Sequence, residues 1–489
     1  MSIYAIEDFV NLTQEIKVSK ADKLEYGEIY TPFSFIRRML DLFEPSVFTD
    51  PDKTWLDVGA GQGYFSMLVF ERLNKGLLTL LPDDLARKKH IIENMLYMIE
   101  LKESNINALK NMFGEKANII HADYCTYACT STHNASTHNA STHNASTHNA
   151  STHNVCINYF DYIIGNPPYN AHGMKKVPTN NARNKKEDGK TLWTQFIRKS
   201  LTLLKPETGQ MCMIVPALWL KPDKEKTYQL LRAYKIEKIH CLSNSETNTI
   251  FKGEAQTPTC FFLLTNTTPL NNIIQLYDKN RQTYVHFDQL VGKPIPLFGA
   301  HIIQKLQPWL FKAGPLKVHK TNMPSMKSKF TELAYTTTYP YTNITTCVLE
   351  GLQPVLLLNY SDIPQAFQGQ QKLVLAHKMY GFPYWDQLGH LGIANRDNYI
   401  IVGKTATEFT QLAAFLSTKL ALYIFEAARY RMKYLEKYAF EFIPDITRLP
   451  EFPAEQAITE ETVADFFGLD EVDKKHIQSL HRKNYERFL

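Results

Sequence analysis

Asn166-Pro167-Pro168-Tyr169 closes an apolar run, Phe160 to Gly165, with a carboxamide, two prolines and an aromatic ring. Proline locks φ and carries no N–H, and it pushes the residue before it into an extended conformation. The run therefore reads as a buried strand that stops abruptly and continues as a stiff turn. That stiffness fixes two acceptors, the Asn166 carboxamide oxygen and the Pro167 carbonyl. Together they can take both hydrogens of a planar amine, tilting its nitrogen toward sp³ and freeing the lone pair for attack, a step that depends on preorganisation. Open α/β sheets place ligands at the carboxyl ends of their strands, where this turn falls. Taken alone, the tetrapeptide has one bland alternative, the less favoured of the two: an ordinary proline-rich exit from strand to loop.

A second constellation lies upstream. Asp57-Val58-Gly59-Ala60-Gly61-Gln62-Gly63 joins a strand end, glycines that let the backbone approach a ligand, and a helix start. Glu100 ends the next apolar run and could accept both hydroxyls of a ribose. Asp123 ends the run after that and could accept from an adenine amine. Each acid alone is as well read as a surface carboxylate at a strand end. In order, at the ends of successive strands, they outline a nucleoside-shaped pocket.

Repeated strand–helix units are needed to hold these groups. Residues 53–73 carry a strand, a glycine turn and a helix with Phe65, Leu68, Val69 and Leu73 on one face. Residues 94–113 repeat the unit, with the strand ending at Glu100. Residues 117–127 give a third strand ending at Asp123, and 160–165 a fourth. A helix over 191–205, a strand over 209–220 and two further strands over 236–244 and 257–266 complete the series. The alternation implies a doubly wound, mostly parallel α/β sheet with helices on both faces. From about residue 275 short apolar stretches alternate with turns, one long helix is expected from Ala406 to Tyr438, prolines over 442–453 stop it, and a charged helical tail follows. Domains are therefore expected at 1–274 and 275–489.

Bulk properties narrow the class. A chain of 489 residues exceeds one small core. Its 44% hydrophobic and 21% charged residues fit a soluble globular protein. No run of 18 apolar residues offers a spanning helix, and the acidic amphipathic start is not a signal peptide. The seven cysteines are scattered, mostly within strand-like runs, and read as free thiols of a reducing compartment. Cys125 and Cys129 are a close pair with no second pair to complete a zinc site, so no metal is expected. Net charge is only +5, but Lys175, Lys176, Arg183, Lys185, Lys186 and Lys190 crowd the segment after Tyr169. That segment is either a solvated loop or a phosphate contact.

Ser131 to Asn154 is a five-residue repeat holding five of the 16 histidines. A fifth-residue spacing advances about 500° on a helix and alternates faces on a strand, so neither geometry gathers the imidazoles into a metal site. The segment reads as a disordered low-complexity insertion in a loop, where added length costs little.

In their order these motifs resemble the gamma-class DNA amino-methyltransferases, the group typified by the TaqI adenine methyltransferase. Gly27 to Leu40 resembles the opening motif, which implies that Tyr30 and Thr31 contact the methionine end of S-adenosylmethionine (SAM). Asp57, Gly59, Gly61 and Gly63 match the SAM glycine motif, Glu100 the ribose acid, and Asp123 the adenine contact. Asn166, Pro167 and Tyr169 match the catalytic motif. Thr249 to Leu264 resembles a late motif in which an aromatic residue, here Phe251, packs against the target base. The resemblance covers residues 20 to 270 motif by motif. It departs at Val58-Gly59, where the family often has an acid and a proline, and at the repeat insertion.

The resemblance implies a Rossmann-like SAM-dependent methyltransferase domain followed by an α+β target-recognition domain. The implied activity is methylation of the N6 amine of an adenine flipped out of duplex DNA, stacked on Tyr169 and Phe251. Asn166 argues against cytosine-N4 methylation, for which serine is usual at that position. NPPY also serves RNA guanine-N2 and protein glutamine methyltransferases, but those place their specificity domain before the SAM domain. A catalytically dead DNA-binding module is a further reading, opposed by the intact tetrapeptide. Lys378, Tyr380, Phe382, Tyr384, Trp385, Arg429, Arg431, Lys433 and Lys437 mix cations with aromatics, as groove contacts or as core and solvated face in equal measure. About 25 residues precede the first motif, too few for a nuclease. The expectation is thus a cytoplasmic, non-membrane monomer that acts in a restriction–modification system with a separate endonuclease, or as stand-alone or viral modification.

Overall fold

The structure is a computed structural model that describes residues 31–127, 159–170 and 191–480, apart from 254, 256, 291, 351–352, 378–382 and 432–433. Tyr30, the repeat, the cationic segment 175–190, Lys378, Tyr380, Phe382 and Lys433 lie outside the described residues. The chain divides into two compact units, 1–216 with 225–271 and 217–224 with 272–489.

In the first unit seven strands form one sheet: β1 (Trp55–Val58), β2 (Leu96–Glu100), β3 (Asn118–His121), β4 (Tyr162–Gly165), β5 (Gln210–Pro216), β6 (Lys235–Leu242) and β7 (Thr259–Thr265). Their order is β3-β2-β1-β4-β5-β7-β6. Strands β1 to β5 pair in parallel, and β7 runs antiparallel between β5 and β6. Every residue of β1, β2, β4 and β7 is buried, as continuous apolar runs in a sheet covered on both faces should be. The strand expected over 209–220 ends at Pro216, and Ala217–Leu220 turn into a 3-10 helix. β3 ends at His121, so Asp123 sits in the turn beyond the strand rather than at its last residue.

Helices α1 (Phe33–Leu40), α2 (Tyr64–Gly76), α3 (Asp84–His90), α4 (Glu103–Phe113), α5 (Trp193–Leu203), α6 (Thr227–Arg232) and α7 (Asn244–Ile250) accompany the strands. Phe65, Leu68, Val69 and Leu73 of α2 are all buried. At the amino ends of β1 and β4, Trp55 stacks on Phe48 at 5.1 Å and on Tyr162 at 4.3 Å, pairs worth about 0.5–1.5 kcal/mol each beyond area burial. With that end sealed by aromatics, the polar chemistry falls to the carboxyl ends.

The second unit contains the hairpin β8 (Ile273–Asp278) and β9 (Thr283–Asp288), helix α8 (Ala300–Ala313), and two four-stranded sheets. Ile344, Cys347 and Ile393 from one sheet and Val374, Ala376 and Ile400 from the other share one buried cluster. Lys372 is fully buried beside it. Its Nζ donates to Asp386 at 2.6 Å and to the Phe367 and Gln370 carbonyls at 3.0 and 3.1 Å, which satisfies the charge.

The single helix expected from Ala406 to Tyr438 is two, α9 (Ala406–Leu416) and α10 (Lys419–Ala427). Thr418 breaks it by taking the Ala421 N–H on its hydroxyl, as an N-cap does. Arg429, on the far side, is ion-paired with Glu426 at 3.1 Å, while Arg431 and Lys437 are exposed. Trp385 stacks on Phe409, so this aromatic is part of the packing. The charged tail forms α11 (Glu460–Phe466) and α12 (Glu471–Gln478), where Asp473 accepts from Arg281, His301 and Lys305. No helix among the described residues is long and apolar enough to cross a membrane.

Candidate active site

A cavity of about 420 Å³ lies at the carboxyl ends of β1 to β4, lined by the segments that leave those strands together with residues of α5, Thr31, Phe251 and Ala255. The turn after β1 bends through Gly59, Gly61 and Gly63, with φ of +66°, +56° and +81°, a region that side chains with a Cβ avoid. At Gly63 a Cβ would also lie 2.7 Å from Leu109 Cδ2. The turn is tied to the neighbouring strand: Gly61 N donates to Glu100 Oε2 at 2.7 Å. Glu100 Oε1 takes the N–H groups of Leu101 and Lys102 at 2.9 and 2.8 Å. A carboxylate gripped by three backbone donors has a fixed position at the cavity wall.

Asp57 has a different part. It is 3% exposed and does not line the cavity. Its Oδ2 accepts from Ser66 N at 3.2 Å and Ser66 Oγ at 2.8 Å, pinning the first turn of α2. Burial raises its pKa from 3.8 to about 7; the Ser66 hydrogen bonds oppose the rise and the charge of Glu100 adds to it. Gly63 likewise stands behind the cavity, where its missing Cβ makes room for α4. Both brace the turn that does the lining.

Asp123 accepts the Cys125 N–H at 2.9 Å across two residues, an Asx turn that places it at the cavity. The Cys125 thiol also lines the wall, and burial, with the Asp123 charge beside it, pushes its pKa to about 11. It therefore stays protonated near neutral pH and is no nucleophile. Tyr124 donates to or accepts from Ser200 Oγ at 2.7 Å, and its ring packs on Phe196 at 5.0 Å.

The exit from β4 is stiff on both sides of Asn166. A Cβ at Gly165 would come 2.8 Å from Val58 Cγ2 and 2.9 Å from the Val58 carbonyl oxygen, so only glycine lets β4 lie this close to β1. Asn166 Nδ2 donates to Thr31 Oγ1 at 3.1 Å. The Tyr169 hydroxyl is buried without a hydrogen-bond partner, and burial raises its pKa far above the ordinary tyrosine value. Tyr169 thus offers a ring and no proton chemistry. Leu192 N donates to the Tyr169 carbonyl at 3.1 Å, and Asn170 and Thr191 form a β-bridge just beyond. Phe251, at the end of α7, lines the cavity but is 3% exposed, its ring edge-on to Phe35 at 6.3 Å.

Thr31, Gly59, Gly61, Glu100, Asp123, Asn166, Pro167, Tyr169 and Phe251 are thus gathered around one cavity. Gln62, Tyr64, Asn105, Gln195 and Phe196 join the lining without having been singled out in the sequence, and Cys125, weighed there only as half of a zinc pair, joins them. Phe196 carried only apolar periodicity, yet its ring atom Cε1 lies 3.7 Å from where a Gly59 Cβ would be.

The strand order with a reversed β7, and a cavity over the carboxyl ends of β1 to β4, define the SAM-dependent methyltransferase fold. Residues 56–251 match the family described as Eco57I restriction-modification methylase. An uncharacterized adenine-specific methylase of Mycoplasma pneumoniae is 25% identical in an alignment 250 residues long that covers 41% of this chain and 57% of that relative. Among solved structures, the methyltransferase subunit of a type I restriction-modification system from Streptococcus thermophilus is similar over 57% of this chain and 52% of its own, with 17% identity and a TM-score of 0.35. The type IIL restriction-modification enzyme MmeI in complex with DNA is similar over 96% of this chain and 82% of its own, with 11% identity and a TM-score of 0.48.

Proposed function

We propose that the chain transfers a methyl group from SAM to the exocyclic N6 amine of adenine in duplex DNA. The observation that carries this reading is a single cavity lined both by the fixed carboxylates Glu100 and Asp123 and by the stiff turn Asn166-Pro167. The residues present suit SAM: Gly59 and Gly61 lack the Cβ atoms that would obstruct close approach, Glu100 is fixed where a ribose would need an acceptor, and Asp123 is held beside it. SAM when bound supplies an electrophilic methyl on its sulfonium. Asn166 Oδ1 and the Pro167 carbonyl accept the two amine hydrogens, which localises the nitrogen lone pair for in-line attack.

No covalent enzyme intermediate is required, in keeping with the protonated Cys125. An adenine inside a duplex must first leave the stack, at a cost of a few kcal/mol. Stacking on Tyr169, and on Phe251 if its ring turns from Phe35, would return roughly 1–3 kcal/mol per contact. The second unit is the candidate reader of sequence, with Arg431 and Lys437 among its exposed cations. The family match favours modification within a restriction–modification system; a separate endonuclease would then supply cleavage.

The test is incubation of purified protein with labelled SAM and unmethylated duplex DNA, followed by digestion to nucleosides and identification of the labelled product by mass. Methyladenine that disappears in Asn166→Ala is the expected result. Label in RNA or in a glutamine side chain, with none in DNA, would overturn it.

A further inference from the structure

An asparagine carboxamide has two ends of similar shape and opposite hydrogen-bonding character, an acceptor oxygen and a donor NH₂. The prolines after Asn166 fix its backbone, but they leave χ2 alone, and that torsion is broad. Something else must hold the plane of the amide. A polar side chain bonded to it is that of Thr31, whose Oγ1 receives Asn166 Nδ2 at 3.1 Å across 135 residues of chain. Thr31 is 3% exposed, so water is a poor substitute for its hydroxyl. Thr31 is itself anchored. The Pro32 carbonyl next to it accepts the Phe35 and Ile36 N–H groups at 2.9 and 3.0 Å, and the buried Phe35, Ile36 and Met39 seat α1.

We infer that Thr31 is a positioning residue for the acceptor Asn166, beside any contact it makes to the cofactor. A hydroxyl can accept or donate, so the bond fixes the amide plane. The amine hydrogen aimed at Asn166 then selects the flip with Oδ1 toward it, in which Nδ2 already meets Thr31. This inference rests on the proposed role of Asn166. It adds that the segment before α1 acts on the acceptor side of the reaction.

Thr31→Val keeps the shape and removes the acceptor; Thr31→Ser keeps the acceptor. The expected result for Thr31→Val is a kcat roughly 10-fold lower, the kinetic equivalent of one lost hydrogen bond, a larger loss than any in SAM affinity by equilibrium dialysis. Thr31→Ser should restore kcat. In protein labelled with ¹⁵N-asparagine, the Asn166 side-chain signal, assigned by its loss in Asn166→Ala, should shift in Thr31→Val and hold in Thr31→Ser. Weaker SAM binding with kcat retained, or an Asn166 signal unmoved by Thr31→Val, would overturn the inference. If the wild type methylates no DNA, the proposed function fails while the Asn166 signal still decides this point.

Discussion

The turns that leave β1 and β4 sit side by side, on strands paired in parallel, and they are built by opposite means. After β1 the chain bends through glycines with positive φ, and a backbone N–H, that of Gly61, reaches across to Glu100. After β4 the chain is stiffened by Pro167 and Pro168, which carry no N–H at all. One turn sheds side chains and spends its N–H on the neighbouring carboxylate; the other sheds its N–H groups and keeps its carbonyls. A ligand in the cavity would meet the carboxylates of Glu100 and Asp123 on one wall, and Asn166 with the Pro167 backbone on the other.

The sharpest way to break the comparison is to damage the acceptor turn without touching its side chain. Gly165→Ala forces a Cβ to within 2.8 Å of Val58 Cγ2. Overpacking of this kind costs about 1–3 kcal/mol, and a shift of Asn166 should lower methyl transfer by about 100-fold. Single-turnover rates beside a urea unfolding curve would show whether activity falls further than stability.

The matching lesion beside the glycine turn is Glu100→Gln. Its side chain keeps one acceptor oxygen, so one of the three backbone N–H donors meets an NH₂. SAM affinity should weaken by roughly 10-fold, with kcat at saturation retained; dialysis and steady-state rates separate the two. A fall in kcat at unchanged affinity would mean the turns are not functionally distinct.

Pro168→Ala should do less, since a proline in a compatible conformation contributes about 0.4–1 kcal/mol through the unfolded chain. A rate loss of a few-fold, largest at high temperature, is expected from an assay run over a temperature series.

Asp57→Asn should change activity least and reveal itself in pH. The folded pKa of about 7 lies above the ordinary 3.8, so the native state holds this proton more tightly than the unfolded chain. The stability it contributes is complete below about pH 4, declines as pH rises toward about 7, and is flat beyond. Asparagine has no proton to lose, and urea unfolding at several pH values should show that part of the slope gone. Parallel curves for the two proteins would refute a protonated Asp57.

Glycine and proline made both turns readable from the chain, because each restricts or frees φ in a way no neighbour overrides. Glu100 was readable for a similar reason, as the last residue of an unbroken apolar run. Asp57 was not: a carboxylate at a strand end looks the same whether it faces a ligand or the first turn of a helix, and only burial separates the two. The Thr31 contact was hidden by distance, since nothing local to either residue points to a partner 135 positions away. The place of β7 between β5 and β6 depends on pairing across the sheet, which a list of strands in order does not contain. At Ser417-Thr418 the capping signal was present, but an apolar pattern continuous from α9 into α10 masked it.

The bridge between Asn170 and Thr191 carries one more consequence. It closes a neck just outside the cavity, so the two ends of the intervening stretch are held together whatever that stretch contains. Doubling the length of such a closed stretch costs only about 0.6 kcal/mol. Selection can lengthen it, recharge it or exchange it for another while the walls behind stay put.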